Sequence, residues 1–259
     1  NLTKKKNNFI NVGFPGAGSE VIYKNFLNSQ KKIKKKPEKI IYLFYEGNDL
    51  ENNILYQELK NKGKIKKNSR YYFPLLHILK RLYNFLYIQL FNSNEKDISS
   101  MSNEKQNFNQ RKLNDELIKY SVKLQSPPIE LSDKNLSFAL EILFKTLDQI
   151  KTKNNNLFVV YVPSPTTVLN LSNPIYFQKY FKNDTQVTST KQELEYLSEY
   201  IRNEIKNFSE KNNVIFIDTT EQLKNLAYSS EIYGPNDFKH PNEKGYKIIS
   251  KVIYKNIYE

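Results

Sequence analysis

Short apolar runs of strand length, separated by stretches of helical periodicity, constrain this chain more than any other feature. Residues 39–45 read K-I-I-Y-L-F-Y and residues 157–162 read L-F-V-V-Y-V. A strand with one wet face alternates apolar and polar residues, whereas a continuous run belongs to a strand covered on both faces, as in a parallel sheet packed between helices. Residues 9–12 and 214–217 carry shorter versions of the same signature. In chain order the runs stop at G-F-P-G-A-G, E-G-N-D, P-S-P and D-T-T, all loop-forming segments. The intervals predict helices over residues 19–30, with Ser19 as N-cap before Glu20, over 133–151 after Ser132, and over 191–211 after Thr190. A last helix is predicted over 242–258, with Pro241 at its first helical position. Strands and helices alternating at these lengths predict an α/β fold, a three-layer α/β/α sandwich on a parallel sheet.

Two segments depart from that pattern inside what otherwise reads as one domain over residues 1–259. Residues 73–91 are apolar around most of a helical circumference, with His77, Lys80, Arg81 and Asn84 forming a narrow polar stripe. They predict a helical insertion spanning about 71–92. Its central charges favour a core or subunit contact over membrane contact. Residues 92–110 are polar and nearly featureless and predict a flexible segment.

Composition removes several classes of chemistry. The 259 residues include no Cys and two histidines, His77 and His240, so disulfides, thiolate catalysis and zinc fingers are excluded and a His-rich metal site has few ligands to draw on. No metal or organic cofactor is expected. The formal net charge of +13 invites a nucleic-acid reading, with Lys4–Lys6, 31–36 and 64–67 as the densest basic runs. No recognition motif accompanies them, and acidic or Asn-rich segments separate them, so lysines on solvated faces are expected and nucleic acid is not. No apolar run has the length of a bilayer span, and the opening N-L-T-K-K-K-N-N lacks a signal-peptide core.

Candidate chemistry gathers where strands end, the edge at which parallel α/β sheets bind ligands. Gly13, Pro15, Gly16 and Gly18 form a glycine loop ahead of a helix, able to offer N–H groups to an anion. Tyr45, Glu46, Gly47, Asn48 and Asp49 form the second constellation, at the end of the second run. Asn48 can donate to a developing oxyanion, and Asp49 can fix the loop by accepting backbone N–H groups. The third constellation is Y-G-P-N-D-F-K-H-P-N-E-K-G-Y, in which Asp237 precedes His240 by three residues. A carboxylate at that spacing can hold one ring nitrogen and leave the other free as a general base.

Taken together, the glycine loop, E-G-N-D after the next strand and D-x-x-H before the last helix resemble the SGNH/GDSL hydrolase family in order and strand context, from Asn11 to the C-terminus. The chain also looks like a subgroup with an E-G-N-D-L block followed by an apolar helical insertion, which residues 73–91 would match. The resemblance implies a flavodoxin-like parallel sheet. It also implies Asp237 and His240 as acid and base of a Ser-His-Asp triad, with Gly16 and Asn48 as oxyanion-hole donors. Glu46 stands where the family's G-x-N-D pattern begins with Gly, which leaves Asn48 in register. The implied activity is that of an ester hydrolase or O-acyl (acetyl) transferase acting on an acylated carbohydrate, in a bacterial envelope or periplasm. A catalytically inactive glycan-binding protein is the alternative, and a basic nucleic-acid-binding module the third reading.

The family's G-D-S block is absent from these residues. It would precede the glycine loop, so the expectation is an N-terminally incomplete domain whose nucleophilic serine and first strand are missing. In a flavodoxin-like strand order that strand lies between the second and third, so its loss would leave a vacancy within the sheet. Neither Ser19 nor Ser164 sits in a nucleophile turn, and Ser19 is better explained as a helix cap.

Overall fold

The computed structural model describes residues 10–33, 36–63, 109–113, 116–120, 124–154, 156–178, 186–234 and 237–259. The chain divides into two compact units, residues 1–56 with 107–259, and residues 57–106. Only 57–63 of the second unit are described, so the predicted helix over 73–91 lies outside the described residues, as does the polar segment up to residue 108.

Along the chain the elements run α1 (Ser19–Gln30), β1 (Ile40–Tyr45), α2 (Asp49–Asn61), β2 (Asn109–Leu113), β3 (Glu116–Tyr120), α3 (Asp133–Lys151) and β4 (Leu157–Val162). They continue with α4 (Pro165–Val168), β5 (Ile175–Gln178), β6 (Gln186–Ser189), α5 (Lys191–Lys211), β7 (Ile215–Asp218), α6 (Thr220–Ala227) and α7 (Glu243–Tyr258). The protein is therefore mixed α/β, built on a parallel three-stranded sheet of order β1-β4-β7. The register pairs Tyr45 with Val162 and Tyr161 with Asp218, so the three strands end at a common edge.

The continuous apolar run of β4 follows from its position. With a neighbour on each side, all six of its residues are buried. Alternate side chains enter two separate cores, as the two-residue period of a strand requires. Leu157, Val159 and Tyr161 join Tyr42, Phe44, Leu143 and Ile201, from β1, α3 and α5. Phe158, Val160 and Val162 join Ile217, Leu223 and Ile249, from β7, α6 and α7. Each fully buried aliphatic or aromatic side chain contributes about 1.5–3 kcal/mol, so β4 anchors both cores. At the strand's edge, β1 has a less complete burial, and Leu43 remains 54% exposed.

Several local expectations need correction. Residues 10–12 form no strand, and Ile10 is 59% exposed; without a described partner strand its backbone has no ladder to join. Ser19 is the first helical residue of α1, and its N-cap is Gly18, which has no side chain to cap with. Pro241 is not inside the last helix. Asn242 is the N-cap, accepting from the Lys244 and Gly245 N–H groups, while Pro241 bridges to Tyr233. Asn109 and Gln110 belong to β2 rather than to a flexible segment. The Asn109 carboxamide pairs with Tyr176 N–H and C=O at 2.7 and 2.6 Å, fastening the β2–β3 hairpin to β5. The other predicted caps are present: Ser132 accepts from Asn135 N–H, and Thr190 forms a capping box with Glu193. Among the described residues no helix is long and apolar enough to cross a membrane.

Candidate functional site

The loop between α6 and α7 is closed at its base before it carries any chemistry. Asn242 N–H donates to the Ile232 carbonyl at 2.8 Å, the Asn242 carboxamide donates to Glu231 O at 3.0 Å, and Gly234 N–H donates to Asp237 O at 2.9 Å. Within this closed loop Asp237 turns back on its own backbone. Its Oδ1 accepts from the N–H groups of Lys239 and His240 at 2.8 and 3.2 Å, and its Oδ2 lies 2.7 Å from His240 Nδ1. Burial raises the Asp237 pKa, but the bond to the His240 ring and the two N–H donors outweigh it and hold the carboxyl below its ordinary value. An ionised Asp237 fixes Nδ1 as the protonated nitrogen and directs the lone pair of Nε2 outward, the arrangement a general base needs. His240 Nε2 has no partner among the described residues.

The E-G-N-D segment is the turn between β1 and α2. Asp49 fixes it as expected, its Oδ2 accepting from Tyr45 N–H at 2.8 Å. Burial pushes the Asp49 carboxyl up to about 7, with the Tyr45 N–H pulling the other way. The Asn48 backbone carbonyl accepts from Asn52 N–H at the start of α2, and its carboxamide has no partner among the described residues. Tyr45 closes the gap to the third constellation. Its hydroxyl donates to the Lys239 carbonyl, and its ring lies 5.5 Å from the His240 ring at a 39° tilt. Burial first, then Tyr233 and Glu46, keeps the Tyr45 hydroxyl protonated and therefore a donor.

Gly16 occupies the turn ahead of α1. Ala17 N–H closes that turn on Phe14 O at 3.2 Å, with Pro15 and then Gly16 at its two central positions. Gly16 has a φ of +67°, the left-handed value a type II turn requires there. Its N–H has no partner among the described residues. The loop is tied to α2 through Ser19 N–H, which donates to Asn53 Oδ1 at 2.6 Å, while Asn53 in turn donates to Ala139 O of α3.

The structure thus brings Asp237 and His240 into direct contact and joins them to the E-G-N-D turn through Tyr45. No hydrogen bond or ring contact among the described residues links Gly16 or Asn48 to His240. Ser19 is buried and accepts from the Tyr42 hydroxyl at 3.1 Å. Ser164 is buried with its hydroxyl against Thr166 and Thr167. Neither serine bonds to His240. No group of three or more His, Asp or Glu residues able to hold a metal occurs among the described residues.

The sequence placed two residues in the second constellation without a role for either. Tyr45 looks like one more apolar member of a buried run. Glu46 looks like a departure from a motif, yet it is fully buried where β1 and β4 end. Its carboxylate accepts from Tyr161 Oη at 2.5 Å, Ser164 N–H at 2.6 Å and Thr167 Oγ1 at 2.7 Å. A glycine could not make that knot. The available signal was a Glu at a strand end with Thr and Ser following the next strand.

Compared with family models, with curated proteins and with solved structures, the chain matches none.

Proposed function

We propose that this chain carries the acid–base half of an SGNH/GDSL-type serine ester hydrolase or O-acyl transferase. The observation that carries the reading is the 2.7 Å contact of Asp237 with His240 Nδ1, in a closed loop that Tyr45 ties to the turn bearing Asn48. In this reading a serine hydroxyl outside the described residues attacks the ester carbonyl carbon and His240 Nε2 takes its proton. The Gly16 N–H and Asn48 carboxamide hold the tetrahedral oxyanion. His240 returns the proton to the departing alcohol as the carbon–oxygen bond breaks, and water or an acceptor hydroxyl then takes the acyl group. Asp237 orients the imidazole and stabilises its charge. Each oxyanion donor of this kind is typically worth about 10²- to 10³-fold in turnover.

The finer architecture belongs to the same proposal. The order β1-β4-β7 corresponds to strands three to five of a flavodoxin-like sheet in a three-layer sandwich. A serine-bearing strand with its helix would then stand beside β1, removing the exposure of Leu43 and giving residues 10–12 a ladder to join. The substrate class is an acylated carbohydrate, and no cofactor is required. A glycan-binding protein that performs no chemistry is the second reading, favoured by Ser19 and Ser164 being buried and bonded to Tyr42, Thr166 and Thr167 rather than to His240. Turnover of a short-chain acyl ester separates them. The hydrolase reading expects turnover by the full-length protein, and loss of it on His240→Ala. Equal turnover with and without that substitution would end it.

A further inference from the structure

The D-x-x-H loop owes only part of its geometry to itself. Its base is closed by backbone bonds, but both His240 and Lys239 are reached from outside the loop by one side chain, Tyr45, at the last position of β1. Three contacts fix Tyr45 in turn. Its N–H is held by Asp49, its hydroxyl by the Lys239 carbonyl, and its ring folds back over Gly47. A Cβ at residue 47 would lie 2.6 Å from that ring, so only glycine leaves the ring where it is.

We infer that Tyr45 is a positioning residue for the Asp237–His240 pair, clamping the loop to the end of β1 so that the imidazole keeps one orientation, with Gly47 as the residue that makes room for the clamp. The inference rests on the reading of His240 as the base, and it adds a role that neither the D-x-x-H spacing nor the E-G-N-D block contains. Within the loop the Asp237 bond holds one ring nitrogen and leaves a partly exposed imidazole free to pivot about that bond, since the His240 side chain is 44% exposed. The tilted Tyr45 ring removes part of that freedom on one face, and the hydroxyl stops the Lys239 peptide from turning. Tyr45 touches no reacting atom. It acts through His240.

The test reads the imidazole directly, without substrate. The chain has two histidines, so ¹⁵N spectra of the labelled protein contain two imidazole systems, and a His77→Gln sample tells them apart. In alkaline buffer, where imidazole is neutral, wild-type His240 is expected to carry its proton on Nδ1. Tyr45→Phe keeps the ring and loses the hydroxyl bond, and the ratio of the Asp237-bound tautomer to the other should fall by roughly two- to ten-fold, the equivalent of one ordinary hydrogen bond. Gly47→Ala should drive the ring off His240 and move the spectrum at least as far. Tyr161→Phe, which loosens the Glu46 knot on the same sheet, should leave the His240 signals unchanged. Wild-type His240 spectra in Tyr45→Phe would overturn the inference, as would an equal change in Tyr161→Phe. If the tautomer shifts as expected while no ester is turned over, the clamp stands and the hydrolase reading falls.

Discussion

Replacing Glu46 tests whether the carboxylate at the end of β1 is a structural knot. In Glu46→Ala three buried donors lose their acceptor. Two have a fallback, since the Tyr161 hydroxyl lies 3.4 Å from Ser198 O and the Thr167 hydroxyl 3.1 Å from Ser164 Oγ. Ser164 N–H has none. An orphaned buried N–H costs about 1–3 kcal/mol, and each weakened bond to a charged acceptor adds about 0.5–1.5 kcal/mol. The variant also removes a charge that was costly to bury, which offsets part of the loss and leaves a net destabilisation of about 2–4 kcal/mol. Glu46→Gln keeps an acceptor oxygen but turns an NH₂ group toward a donor, at a cost of about 1–2 kcal/mol. Urea unfolding followed by far-UV circular dichroism measures both. With a slope of about 2 kcal/mol per molar urea, the middle of the usual range, the Glu46→Ala midpoint should fall by about 1–2 M. A Glu46→Ala midpoint equal to or above that of wild type would refute the assignment of those three bonds as net stabilising.

Asp49 gives a pH prediction. Its folded pKa of about 7 lies above the ordinary value of 3.8, so between the two the native state binds a proton that the unfolded chain has released, and stability falls as pH rises through that window. Asp49→Asn, which still accepts from Tyr45 N–H, should flatten that fall, and parallel slopes of midpoint against pH in the two proteins would contradict it. Thr190→Ala removes the cap of α5 and should cost about 0.5–2 kcal/mol by the same unfolding assay. Generic DNA or RNA should show no tight, steeply salt-dependent binding; filter binding across a salt series with a steep slope would instead promote the basic runs to a functional role.

What the sequence made legible was what periodicity and local chemistry encode. The β4 run is correct to the residue, and the helices over 133–151 and 191–211 are correct with their caps, because each is specified by burial pattern and a cap residue within a few positions. The β2–β3 and β5–β6 hairpins were not legible. Their strands are four or five residues long and are secured by distant bonds such as Asn109 to Tyr176, which no local pattern announces. At the candidate site the Asp237–His240 pairing was readable from a three-residue spacing in a tight loop. Tyr45 and Glu46 were not, because their partners at Lys239, Tyr161 and Ser164 lie more than a hundred residues away. Ser19 shows the same limit in reverse: a plausible cap by local rule, it is held inside the helix start by Asn53 and Tyr42.

The most direct measurement of the central claim is phosphonylation by a serine-directed fluorophosphonate, read by intact mass and peptide mapping. It would be run on the full-length protein, beside His240→Ala and Asp237→Asn. The account predicts one modified serine, with labelling slowed by orders of magnitude in His240→Ala and to a lesser extent in Asp237→Asn. Labelling that proceeds at the same rate in all three proteins, or no labelling of any serine, would contradict it.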